Sequence, residues 1–292
     1  MEKEHKVSAN ILRLIAPNPS PMTFHGTNTY LLGHDELMII DPGPLSNAHL
    51  GALLDEIGSR KVSHILVTHS HLDHSPLAKE LQTHVDAPIC AYGKSDAGLS
   101  EVMKNLAKTN EVRGGEGVDH DFEPDLILSD NHVVQNSENR VTCIHTSGHM
   151  ANHMCFSTGE DLFSGDHIMG WASTMVSPPD GDISDFMASC EKLIGRDEKT
   201  FLPGHGDKID APLQRIQELI DHRKHRESQI INALGSGPAS ITELTQKIYH
   251  DTPKSLHGAA QRNVLAHLID LTFRGLTTSN NGFSNIAEFK LK

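Results

Sequence analysis

The chain has 292 residues, with 25 lysines and arginines against 38 aspartates and glutamates, a formal charge of −13. That length fits one large domain, or a large one with a smaller partner, and can bury a core without disulfide staples. With 37% hydrophobic and 22% charged residues it is too apolar for a disordered chain, its acidic balance disfavours indiscriminate nucleic-acid binding, and no apolar run reaches the roughly 18 residues of a transmembrane helix. Residues 1–6 have no apolar core or cleavage signature, so no signal peptide is expected. Cys90, Cys143, Cys155 and Cys190 lack a CxxC spacing and are expected to be buried, reduced thiols of a cytoplasmic protein. The 21 histidines are the unusual count and the first hint of metal binding.

Residues 11–15 read as a strand, stopped at Ala16-Pro17-Asn18-Pro19. Residues 27–32 and 37–40 form a strand pair across Gly33-His34-Asp35, and the second strand breaks at Asp41-Pro42-Gly43-Pro44. Leu50, Leu53, Leu54 and Ile57 at helical spacing predict a helix over 47–58. Residues 64–68 form a short apolar run typical of a strand buried on both faces. Ser75-Pro76 offers an N-cap and a first-turn proline for a helix through Leu77 and Leu81. Residues 101–123 read as looser. Strand-like segments return at 126–128, 141–144, 154–157 and 161–163, followed by a helix over 183–194 and a strand over 200–203. Strands and helices thus alternate twice, which predicts mixed α/β structure with two related halves.

From Ala211 the texture becomes helical. Residues 212–234 predict one long helix ended by Gly235-Ser236-Gly237-Pro238. Ser240-Ile241-Thr242-Glu243 carries a capping-box pattern for a second helix, and a third spans 255–274. Asn280-Asn281-Gly282 then marks a hairpin. Three helices and a hairpin predict a small winged-helix-like unit over 211–292, beside a catalytic domain over 1–210.

One segment dominates the chain: Thr68-His69-Ser70-His71-Leu72-Asp73-His74, directly after the buried strand. A strand-to-helix loop can turn neighbouring side chains into one pocket, and imidazole with carboxylate suits zinc, and also iron or manganese. Thr146-Ser147-Gly148-His149, Ser164-Gly165-Asp166 and Pro203-Gly204-His205-Gly206 have the same placement at strand ends. Taken singly, Gly-His and Gly-Asp are ordinary turns. Together they add a histidine, a carboxylate and a second histidine, which is what two metals would still need.

The HxHxDH run and the order of the later motifs resemble the metallo-β-lactamase superfamily. The resemblance implies a four-layer αββα sandwich of the α/β class holding two divalent metal ions, zinc first, with iron or manganese as alternatives. By that resemblance His69, His71 and His149 hold one ion, Asp73, His74 and His205 the second, and Asp166 bridges both. Met22-Thr23-Phe24-His25-Gly26-Thr27-Asn28-Thr29-Tyr30-Leu31 is similar to the start of the β-lactamase-like protein 2 branch, whose members carry a C-terminal winged-helix domain. Two departures concern loop shape and not the ligands: Ser75-Pro76-Leu77 stands where many members have glycines, and Thr146-Ser147-Gly148-His149 replaces Thr-Pro-Gly-His. Two ions about 3.5–4 Å apart share a hydroxide that attacks a carbonyl or phosphorus centre, with Asp73 as both ligand and orienter of the nucleophile. Asp41 is expected to hydrogen-bond a ligand imidazole. His153 is expected to support the site without ligating, and His167 to face away from it. Trp171 is read as a buried anchor in preference to a stacking platform.

Two substrate classes follow. The first is a thioester or related acyl compound, as for hydroxyacylglutathione hydrolases and acyl-carrier thioesterases, and the acidic net charge suits such a small molecule. The second is single-stranded RNA, cut by an endoribonuclease, as the β-lactamase-like protein 2 branch implies. Its support is the basic run His222-Arg223-Lys224-His225-Arg226, which on its own marks a solvated helix face. Against it stand the −13 balance and the lack of an aromatic platform for stacking bases. A DNA-reading regulator is disfavoured, because residues 254–274 carry only Lys254, Arg262 and Arg274 as basic side chains. The C-terminal unit is expected to pack over the active-site mouth or to mediate homodimerisation. No membrane partner is expected. The acyl hydrolase is the preferred reading.

Overall fold

Seven strands build the first sheet in the order the chain supplies them: β1 (His5–Lys6), β2 (Ile11–Ile15), β3 (Asn28–Leu32), β4 (Glu36–Ile40), β5 (Lys61–Leu66), β6 (Ile89–Ala91) and β7 (Leu126–Ile127). The structure is a computed structural model and describes residues 5–292 except 110, 111, 113, 115, 116 and 285. Strands β1 to β4 pair antiparallel across short turns. From β4 onward the pairing is parallel, and parallel neighbours need a crossover. Helices α1 (Asn47–Ile57), α2 (Leu77–Val85) and α3 (Glu101–Thr109) lie within those crossovers.

The second sheet contains β8 (Val133–Gln135), β9 (Arg140–His145), β10 (Met154–Thr158), β11 (Asp161–Gly165) and β12 (Thr200–Pro203), in the order β12-β11-β10-β9-β8. It is antiparallel except for β11 and β12, whose crossover carries α4 (Ile183–Ile194).

Alternation along the strands separates the layers, because successive side chains point to opposite faces. In β4, Leu37 and Ile39 join α1 and α2 through Leu53 and Leu81. Met38 and Ile40 point the other way, into a core between the sheets with Val141, Phe156, Phe163 and Leu202. On the far side of the second sheet, Ile144, Cys155, Leu162 and Phe201 pack against Phe186 and Leu193 of α4. Helix, sheet, sheet, helix is the four-layer αββα sandwich that the family resemblance implied. All four cysteines are free and buried. Among the described residues, no helix is long and apolar enough to cross a membrane.

Helix α5 (Pro212–Leu234) belongs to two cores. Its first half gives Ile216, Leu219 and Ile220 to the outer layer with α4. Its second half gives Ile230, Ala233 and Leu234 to a C-terminal core with α6 (Ile241–Ile248) and α7 (His257–Phe273). A three-stranded sheet of β13 (Ala239–Ser240), β14 (Thr277–Ser279) and β15 (Glu288–Leu291) completes a winged-helix unit. Ser240 caps α6 with the full reciprocal box to Glu243, as its sequence predicts.

Three local expectations are corrected. Residues 101–109, read as loose, form α3, and its Met103 and Leu106 are buried in the C-terminal core. Leu99, Val102, Met103 and Leu106 do recur at helical spacing, and a distant unit supplies their burial. Ser75 does not cap α2: its hydroxyl donates to His71 O at 3.2 Å and to Asp119 Oδ2 at 2.7 Å, and Pro76 occupies the cap position without a side-chain bond. The final hairpin is not closed tightly at Asn280-Asn281-Gly282, since Ser279 pairs with Phe289.

The basic run on α5 also divides. Lys224 and His225 are exposed, but Arg223 is 1% exposed. Its guanidinium donates to Thr174 O and, at 2.8 Å, to Asn263 Oδ1, and it lies 5.1 Å from the centre of the Phe186 ring. It therefore ties the α5 hinge between the two cores to the loop after β11 and to α7. Arg223→Ala leaves buried acceptors unpaired and removes packing, so it should cost about 2–4 kcal/mol in denaturant unfolding. Lys224→Ala, one residue on, should change stability by less than about 0.5 kcal/mol. Equal effects would contradict this division of the run.

Candidate metal centre

Five strands end on one rim of the sandwich, and each delivers a polar group just beyond its C-terminal end. Asp41 follows β4, the segment from His69 to His74 follows β5, His149 follows β9, Asp166 follows β11 and His205 follows β12. All seven residues singled out in the sequence meet there. Ligand atoms of His69, His71 and His149 lie within 4.8 Å of one another, as do those of Asp73, His74 and His205, and those of His69, His74 and Asp166.

Tight turns set this geometry. Gly204 could carry no side chain, since a Cβ would stand 2.4 Å from Asp166 Oδ1 and 2.6 Å from His74 Cε1. Gly26 (φ +135°) brings its backbone so close that a Cβ would sit 2.0 Å from Ala16 O. That approach positions Gly26 O to accept a hydrogen bond from His205 Nδ1 at 3.1 Å. Asn28 Nδ2 donates to Pro203 O and Gly206 O at 2.9 and 2.8 Å, and Tyr30 OH donates to Pro203 O at 2.8 Å. The string from Met22 to Leu31 thus works as the mount for the turn that carries His205.

The second nitrogen of each cluster histidine decides what the first can do. His74 Nδ1 donates to Asp41 Oδ2 at 2.9 Å, and His149 Nδ1 donates to Met175 O at 2.7 Å. Thr68 Oγ1 donates to Asp41 Oδ2 at 2.7 Å, so at 3.0 Å from His69 Nδ1 it accepts from that ring. Carbonyls and carboxylates only accept, so these bonds place a proton on Nδ1 of His69, His74, His149 and His205 and turn each Nε2 toward the cluster.

Those Nε2 atoms converge. His71 Nδ1 lies 2.9 Å from His69 Nε2 and 3.1 Å from His149 Nε2. One proton on His71 Nδ1 could satisfy one of them, not both. His74 Nε2 and His205 Nε2 are 3.3 Å apart, and His205 Nε2 is 3.1 Å from Asp73 Oδ2 and 3.3 Å from Asp166 Oδ2. Asp166 also reaches towards the first trio, with Oδ2 3.7 Å from His149 Nε2.

The electrostatics differ between the halves. Burial, with neighbouring imidazoles, holds His69 well below its ordinary value and His71 down to about 3, and burial lowers His149 too. That trio is neutral, the form in which imidazole ligates a metal. Burial works against charge on His74 and His205 as well. The carboxylates outweigh it: Asp73, Asp166 and Asp41 raise His74 well above the usual range, and Asp166 and Asp73 raise His205 to about 9. Burial would raise Asp73 and Asp166, but the same two histidines hold both carboxyls below the usual range. This half attracts positive charge, whether a proton or a metal cation. The donor set fits the divalent ions expected from the sequence.

His153 and His167 stay outside the cluster. His153 Nδ1 lies 2.9 Å from Thr146 Oγ1, and His167 Nε2 lies 3.7 Å from Cys190 Sγ. Trp171 is not a buried anchor. It is half-buried, stacked on Phe24 at 4.9 Å, and lines the opening above the cluster. A stacked pair of aromatics could not be read from positions 24 and 171, far apart in the chain.

Over the cluster lies a cavity of about 420 Å³. His71, Asp73, His149, Asp166 and His205 form its floor. Met22, Met169, Trp171 and Met175 belong to its flanks, and His222, Arg226, Tyr249 and Leu256 come from α5 and the C-terminal unit. The winged-helix unit therefore packs over the site's mouth. Sequence reasoning missed His222 and Arg226 as cavity residues, because it took the run 222–226 as one solvated face.

Residues 22–205 match the family model of the metallo-beta-lactamase superfamily, and residues 240–283 match that of the beta-lactamase associated winged helix domain. The beta-lactamase-like protein 2 homolog of Drosophila melanogaster is 30% identical over 283 residues, covering 92% of this chain and 90% of that protein. The atrochrysone carboxyl ACP thioesterase of Aspergillus fumigatus is 26% identical over 298 residues, covering 95% and 84%. The crystal structure of a metallo-beta-lactamase family protein from Thermus thermophilus superposes with a TM-score of 0.78 at 22% identity, covering 98% of this chain and all (100%) of that one. Fold, ligand cluster and these matches agree: the chain belongs to the metallo-β-lactamase superfamily of metal-dependent hydrolases and carries a C-terminal beta-lactamase associated winged helix domain.

Proposed function

We propose that this chain is a dinuclear metal hydrolase acting on a thioester or related acyl substrate. The observation that carries the substrate class is the cavity, whose flanks of Met22, Met169, Trp171 and Met175 are apolar and which the C-terminal unit narrows from above. An acyl group can be desolvated there, whereas an RNA backbone needs a row of cations. The run that could have supplied such a row loses Arg223 to the interior. Support also comes from the thioesterase name of a relative that aligns over 95% of this chain.

In this reading His69, His71 and His149 would hold one divalent ion, zinc first, and Asp73, His74 and His205 would hold the other. Asp166 stands between the two sets, within 3.7 Å of His149 Nε2 and 3.3 Å of His205 Nε2, and could serve both. Bound ions would supply an activated water at neutral pH and positive charge for the developing oxyanion. Asp73 stays ionised and is the more open ligand, with 26% of its side chain exposed against 1% for His205. Its more open carboxylate can accept a hydrogen bond from the attacking water and orient it. Thr27 Oγ1 steadies the same carboxylate by donating to Oδ2 at 3.4 Å. Water adds to the thioester carbonyl, the C–S bond breaks, and a carboxylic acid and a thiol leave. A thiol ionises near pH 8.5, so its anion departs without a strong general acid.

Asp41→Ala should lower metal affinity about 10–100-fold, because His74 loses the carboxylate that fixes its tautomer and direction. Equilibrium dialysis against a zinc buffer measures this. Unchanged affinity would remove Asp41 from the site.

Thiol release from a panel of acyl thioesters, beside cleavage of a labelled single-stranded RNA, tests the function. Wild type should hydrolyse thioesters and leave RNA intact. Asp73→Ala should lose about 10²-fold or more in kcat, and His149→Ala should lose bound metal. Inert thioesters and RNA cut by wild type alone would overturn the acyl reading, and full activity and metal content in both variants would overturn the ligand assignment.

A further inference from the structure

The wall opposite the ligand cluster carries charge that nothing in the proposed chemistry uses. His222 and Arg226, four residues apart, share one face of α5, and both line the cavity. Arg226 Nη1 donates to Gln229 Oε1 at 2.8 Å and to Ile248 O at 3.2 Å, and its guanidinium lies 4.2 Å from the Tyr249 ring centre. Those contacts hold the group in place without neutralising it. Arg226 Nε and His222 Nδ1 are buried and have no hydrogen-bond partner among the described residues.

Counter-ions are missing where they would be expected. Arg13, Arg60, Arg196, Arg215 and Arg274 each pair with a carboxylate. Arg226 and the buried Arg223 beneath it pair with none among the described residues, in a chain that carries 38 acidic side chains. The acidic residues lining the cavity, Asp73 and Asp166, belong to the ligand cluster. His222 feels the unbalanced charge: burial first, then Arg223 and Arg226, push it down to about 4, so it is neutral and free to hydrogen-bond. Two cations without a carboxylate partner among the described residues, Arg226 in the lining of an apolar cavity and Arg223 buried behind it, are complementary to an anion small enough to enter.

We propose that Arg226, with His222 beside it, forms an anion-recognition site that selects acyl substrates carrying a carboxylate remote from the thioester, an inference that rests on the acyl-hydrolase reading above. The ion cluster takes the thioester carbonyl at one wall, and Arg226 takes the carboxylate at the other. The apolar flanks hold the methylenes between. Specificity then lies in a residue of the C-terminal half that touches no ligand of the metal centre.

The test compares the N-acetylcysteamine thioesters of glutaric and hexanoic acid, near-isosteric acyl groups with and without the terminal charge. Wild-type holoenzyme should prefer the glutaryl compound by about tenfold or more in kcat/KM, mostly through KM, as a charge-assisted hydrogen bond allows. Arg226→Gln should abolish the preference, and Arg226→Lys, which keeps a charge in the same packing, should retain most of it. A wild-type ratio near one, or an equal loss on both substrates in Arg226→Gln with no recovery in Arg226→Lys, would overturn the proposal. If neither compound is cleaved, the acyl-hydrolase reading fails, and the same pair serves as ligands read by the fluorescence of Trp171, the single tryptophan, in the cavity wall. About tenfold tighter glutaryl binding in wild type but not in Arg226→Gln would then sustain the anion site alone, and equal binding would overturn it.

Discussion

Nitrogen lone pairs that face one another across about 3 Å repel unless a cation lies between them. Here each of four histidines has its Nδ1 proton committed to an acceptor: Asp41, Thr68, Met175 or Gly26. The commitment turns the Nε2 atoms inward, to separations of 2.9 to 3.3 Å from their neighbours. Much of the surrounding structure exists to hold this convergence. The β4 end carries Asp41, which grips both Thr68 and His74, and the segment before β3 and β3 itself grip the turn of His205. Glycine at 204 leaves room where Asp166 and His74 approach.

The sandwich and the winged-helix unit are joined by elements that serve both. Helix α5 passes from one core to the other, α3 leaves the first sheet to pack in the C-terminal core, and Arg223 is anchored between them. This coupling fixes the cavity roof relative to its floor. The cavity over the cluster is thereby walled in part by the C-terminal unit, through Arg226, Tyr249 and Leu256.

Legibility in the sequence followed the range of the interactions. The ligands stand in one run of seven residues and three short strand-end motifs, so their residue types alone nearly specify the cluster. Asp41 could be read either as a strand-ending Asp-Pro-Gly turn or as a partner of a ligand imidazole, and its bond to His74 Nδ1 decides for the second. The Ser240 box is local in the same way. By contrast the helical spacing of Leu99, Val102, Met103 and Leu106 marks α3 locally, but the distant C-terminal unit that buries it could not be read from the segment. Ser75 looked like a cap until a distant acceptor, Asp119, took its hydroxyl. The run 222–226 was legible as charge, yet which of its members face solvent, interior or cavity depends on helix phase against two cores at once.

The central claim is that seven side chains form two adjacent metal sites. Crystals of the zinc-loaded protein, measured on both sides of the zinc absorption edge, test it most directly. The account predicts two anomalous peaks about 3.5–4 Å apart, one among His69, His71 and His149, the other among Asp73, His74 and His205, with Asp166 touching both. Peaks elsewhere, or full zinc loading that leaves either set of three without an ion, would contradict it.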